Sequence, residues 1–164
     1  MAAVTHVLVV ANQTVDAPAL RAALIGRAGR GPIHATLLVP AAWSQRDTAQ
    51  RRLSSALAAL ERAGIPAAGE LGDADPIVAV QEAWNPGRFD EVIVATLAEG
   101  SSRWLQIGLP HRVAKLTDCP VQHVEIRVPE PRAAPRRPPP RPRRGAVDTV
   151  LSFLQTSPPR SRGG

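Results

Sequence analysis

Four consecutive residues, Gly100-Ser101-Ser102-Arg103, combine a bare backbone, two hydroxyls and a guanidinium. Such a set suits a phosphate: backbone and hydroxyl donors meet its oxygens, and the arginine adds a charge-assisted bond. Other chemistries are poorly served. There is no Gly-x-Ser-x-Gly elbow, no Walker loop and no pair of carboxylates in an expected cleft loop, so catalysis lacks its usual signatures and a non-enzymatic role is expected. Histidines 6, 34, 111 and 123 are scattered. His6 and His34 fall on adjacent strands but at the amino ends, away from the ligand edge. No cysteine or carboxylate joins them at ligand spacing, and no metal site is expected. Cys119 is the single cysteine. It has no partner for an intrachain disulfide and reads as a small buried hydrophobe.

The anion-binding loop needs a strand before it and a helix after it, and the sequence supplies both. Glu91 to Thr96 carries the apolar run Val92-Ile93-Val94-Ala95, short enough for a strand buried on both faces. Gly108 and Pro110 mark the start of a helix whose stripe is Val113 and Leu116, since proline fits a first helical turn and breaks an interior. Asp118-Cys119-Pro120 stops it, and Val121 to Ile126 is the next strand. Trp84 and Trp104 read as packing residues, with Trp104 alternatively a wall of the ligand cleft.

The same alternation runs upstream. Val4 to Ala11 is the first strand, followed by the turn Asn12-Gln13-Thr14. Asp16 is expected to cap the next helix, with Pro18 in its first turn and Leu20, Ala23 and Leu24 on its buried face. Ile33 to Pro40 is the second strand. Ser44 or Asp47 opens the longest helix, which reaches about Arg62 and carries Leu53, Ala56, Leu57 and Leu60 at helical spacing. Ile65 to Leu71 reads as an edge strand because of Pro66. Asp75-Pro76 is a cap followed by an N1 proline, and Asn85-Pro86-Gly87 is a stop. Strand and helix alternating five times predict an α/β three-layer sandwich around a five-stranded parallel sheet.

The stretch from Glu91 to Val124 resembles the C-terminal signature of the universal stress protein family. Nucleotide-binding members of that family show Gly, two residues, Gly, nine residues, Gly, then Ser or Thr. Here that frame reads Ala95, two residues, Ala98, nine residues, Gly108, Leu109, and it closes on the family's Cys-Pro-Val as Cys119-Pro120-Val121. By order of elements the likeness covers about residues 4 to 126. It implies an adenine nucleotide alpha hydrolase-like, Rossmann-like sheet of order 3-2-1-4-5, with the switch point placing Asn12 opposite Ala95 to Ala98. It also implies a nucleotide site for ATP or AMP built from Asn12, Thr14, Val39, Ala95, Thr96, Ala98, Gly100, Ser101, Ser102, Arg103, Gly108 and Leu109. Two of the three glycines are alanine here, the final hydroxyl is Leu109, and the family's acidic residue after the first strand is Asn12. Nucleotide binding is therefore expected to be weak or lost. Family members commonly dimerise through the last strand, so Val121 to Ile126 is the expected dimer edge.

Charge divides the chain. From Arg127 onward there are nine arginines against Glu130 and Asp148, which leaves the first 126 residues with eleven basic and twelve acidic side chains. The basic balance belongs to a Pro/Arg-rich tail over 127–164. That tail is expected to be disordered, with a possible short helix over 146–155 and weak contact with polyanions. An alternative reading makes the chain an interaction adaptor whose tail engages an acidic protein, RNA or a membrane surface. No apolar run approaches the ~20 residues of a membrane helix, no signal-peptide pattern is visible, and a cytoplasmic protein is expected.

Overall fold

The computed structural model describes residues 3–98 and 102–127. Of the tail expected over 127–164 all but Arg127, including its short helix, lies outside the described residues, as do Gly100 and Ser101. Alternation is observed throughout the rest. The order is β1 (Thr5–Val10), α1 (Pro18–Ala28), β2 (Ile33–Pro40), a 3-10 turn (Trp43–Gln45), α2 (Arg46–Arg62), β3 (Ala67–Gly72), α3 (Pro76–Ala83), β4 (Glu91–Leu97), α4 (Arg103–Gln106), α5 (Leu109–Thr117) and β5 (Val121–Ile126). The five strands form one parallel sheet of order β3-β2-β1-β4-β5, the Rossmann-like arrangement.

Strand periodicity sorts the core into two layers. Val7 and Val9 of β1, Ala35, Leu37 and Val39 of β2, and Ile93 and Ala95 of β4 pack with Leu20 and Leu24 of α1 and with Leu53, Ala56 and Leu60 of α2. The alternate residues, Leu8, Val10, Leu38, Val92 and Val94, pack on the other face with Ala79 and Val80 of α3 and Leu109 and Val113 of α5. The central strands are apolar on both sides because helices cover both sides.

Helix starts differ in detail from the sequence reading. Asp75 caps α3 as expected, its Oδ1 accepting from the Ile77 amide at 2.8 Å. Asp16 does not cap α1: Ala17 holds that position with no side-chain bond, and Pro18 alone sets the first turn. Neither Ser44 nor Asp47 opens α2. A 3-10 turn leads into Arg46 without a side-chain cap. The expected edge strand over Ile65 to Leu71 starts two residues later, and β3 is indeed at the sheet edge. Packing permits that weakly apolar strand, since a Cβ built on Gly72 would stand 2.6 Å from Ala79 Cβ. Its lack of a side chain lets α3 sit directly on the strand.

Candidate functional site

The carboxyl ends of β1, β3 and β4 open into a cleft of about 650 Å³. It straddles the switch point between β1 and β4, where the chain leaves the sheet in opposite directions and loops cannot fill the gap. Asn12, Gln13 and Thr14 form the wall after β1; Ala74, Asp75 and Pro76 that after β3; Thr96 and Leu97 that at the end of β4. Ser102, Arg103, Trp104 and Ile107 of the α4 region, Gln45 and Arg112 complete the lining.

Its hydroxyls are engaged by the protein. Thr14 Oγ1 donates to the buried Ala95 carbonyl at 3.0 Å. Thr96 Oγ1 hydrogen-bonds His123 Nε2 at 2.8 Å, tying β4 to the edge strand. Ser102 Oγ accepts from the Leu105 amide at 3.3 Å and so caps α4. Asp75, the one carboxylate of the lining, is likewise spent on the α3 cap. Arg103 and Arg112 are both exposed, and among the described residues neither makes an ion pair. Among the described residues the lining therefore carries two guanidinium groups without an ion pair against one carboxylate engaged in a helix cap, a local balance that favours an anion.

Of the residues singled out in the sequence, Asn12, Thr14, Thr96, Ser102 and Arg103 meet in this lining. Val39 and Ala95 lie in the α1/α2 core layer, and Leu109 is fully buried in the other. Ala98 follows β4, its amide donating to the Ile126 carbonyl at 2.9 Å. Gly108 precedes α5 in the left-handed region, at φ 65°, which explains a glycine there without any ligand. Leu109 fills a core position at the first turn of α5, so no hydroxyl stands where the family pattern has one.

No family model matches the chain, and no curated protein matches it. Among solved structures it is similar to a universal stress protein family protein from Arabidopsis thaliana determined with AMP bound, at 16% identity and a TM-score of 0.46, over 74% of this chain and 91% of that one. Among the described residues no helix is long and apolar enough to cross a membrane.

Sequence reasoning did not assign Gln13, the Ala74-Asp75-Pro76 turn, Leu97, Ile107, Gln45 or Arg112 to the site. Arg112 stands one helical turn after Gly108 and its amide bonds the Gly108 carbonyl; that i, i+4 relation was the available signal. Gln45 carried none, because it reaches the cleft through the 3-10 turn.

Proposed function

We propose that this chain is a non-enzymatic, universal-stress-protein-like domain acting in stress adaptation in the cytoplasm, and that its cleft binds an adenine nucleotide such as AMP or ATP weakly. The observation that carries this reading is a switch-point cleft lined by Arg103 and Arg112, neither of which makes an ion pair among the described residues. Two guanidinium groups suit phosphate oxygens, the amides of Asn12 and Gln13 suit a ribose or a base edge, and Trp104 and Ile107 give a flat ring an apolar wall. Weakness follows from the first turn of α5. Gly108 has no side chain, Leu109 is buried and Pro110 has no N–H, so this turn adds no side-chain donor to the exposed, solvent-screened Arg103 and Arg112. The exposed edge strand β5, with Gln122, His123 and Glu125 open to solvent, supports the further reading that two copies pair along it.

Calorimetry with AMP and ATP tests this reading. The expected dissociation constant is on the order of 0.1 to 1 mM, weakened further by salt and by Arg112→Ala. Micromolar or tighter binding would refute the weak site, and no heat at millimolar nucleotide would refute the site altogether. Sedimentation of the full chain tests the pairing, with a concentration-independent monomer as the contrary result.

A further inference from the structure

At the opposite end of the sheet from the cleft, His6 and His34 are register partners on neighbouring strands β1 and β2. Parallel strands hold such a pair about 4.8 Å apart with both side chains on one face. The rings lie 5.6 Å apart between centres, tilted by 36°. His6 is exposed and His34 half-buried, so the pair is open to solvent at one end.

We infer that His6 and His34 form a two-imidazole site for a divalent transition-metal cation. Imidazole nitrogen ligates such a metal at about 2 Å, which puts two ligating ring centres about 4.5 Å apart at the right angle of a tetragonal Cu2+ site and on the order of 5 to 5.5 Å apart at a tetrahedral angle. The observed 5.6 Å is slightly above these values, so the rings must turn toward each other to share an ion. The backbone is already fixed. The His6 amide donates to Asp90 Oδ2 at 2.8 Å, the His6 carbonyl accepts from the Asp90 amide at 2.9 Å, and the Ala35 amide next to His34 donates to the Pro66 carbonyl at 3.0 Å. Binding therefore orders two side chains and little else. The Asp90 carboxylate adds negative charge beside the pair. No third His, Cys, Asp or Glu completes a ligand group among the described residues, so water fills the remaining positions and the ion is exchangeable. Imidazole donors select Cu2+ over Ni2+ and Zn2+, and exclude Mg2+.

Tag-free full-length protein titrated with Cu2+, Ni2+ and Mg2+ tests the site. Cu2+ should bind with one-to-one stoichiometry and an electron paramagnetic resonance spectrum showing two nitrogen ligands, Ni2+ more weakly, and Mg2+ not at all. His6→Gln and His34→Gln should each weaken Cu2+ binding by about tenfold or more, since even outer-shell partners of a metal carry that much, and each should leave one nitrogen ligand. His111→Gln should change nothing. Cu2+ affinity that survives the double substitution, or a two-nitrogen spectrum that survives His6→Gln, overturns the assignment. Because His6 is exposed, that variant decides the matter even if His34→Gln fails to fold.

Discussion

The Thr14 hydroxyl donates to the Ala95 carbonyl at 3.0 Å, a buried bond that ties the loop after β1 to the end of β4. The two strands stop pairing at Val10 and Val94, so the side chain continues the connection where the backbone ladder ends. The bond also sets the position of Asn12 and Gln13 against Thr96, and hence the mouth of the cleft. Thr14→Val keeps the shape and removes the donor, leaving a buried carbonyl without this partner. Urea denaturation should show a loss of about 1 to 3 kcal/mol, and an unchanged midpoint would contradict the role given to this bond.

Gly72 is expected to resist substitution. A Cβ there would meet Ala79 Cβ at 2.6 Å and Leu38 Cδ1 at 3.0 Å. Ala79 is a short side chain on a packed helix and cannot swing away, so α3 must shift. Gly72→Ala should cost about 1 to 3 kcal/mol, as overpacking does. Paired Gly72→Ala and Ala79→Gly should recover part of that loss, which thermal melts of the single and double variants will show.

Leu109 belongs to the core rather than to the ligand. It is fully buried with Ala79, Val80 and Val113, at the first turn of α5. Leu109→Ala should cost about 2 to 5 kcal/mol. Leu109→Ser should cost at least as much while leaving nucleotide affinity little changed at temperatures where the variant is folded. Tighter ATP binding by the serine variant in calorimetry would show that the position does face the ligand.

Arg27 Nε donates to Glu91 Oε1 at 2.7 Å, with side chains 15% and 24% exposed. This pair clamps the last turn of α1 to the start of β4. Partial burial raises its worth above that of a surface pair, and residual exposure keeps it below a fully buried one. A double-mutant cycle with Arg27→Met and Glu91→Gln should give a coupling of about 1 to 2 kcal/mol, shrinking in high salt. Zero coupling would mean that the contact only fills space.

Sequence alone determined the elements and their class. Short continuous apolar runs and period-3.6 apolar patterns are local properties, so Val7 to Val10 and the Leu53, Ala56, Leu60 stripe announced a buried strand and an amphipathic helix by themselves. Asp75-Pro76 announced a helix start in the same way, because a cap and an N1 proline act within a few residues. Asp16 failed as a cap for the complementary reason: Pro18 and the turn of Thr14 to Ala17 had already fixed the entry to α1. What only the tertiary structure decided were relations between distant residues. The neighbourhoods of His6 with His34 and of Asn12 with Thr96 were expected from the order of elements, but the exact register of the histidines, the bond from Thr14 to Ala95, and the depth of α5, which turned Leu109 into core while leaving Arg112 at the cleft, were not. Such relations depend on long-range pairing and on which face a helix buries, and one linear pattern is compatible with several answers to both.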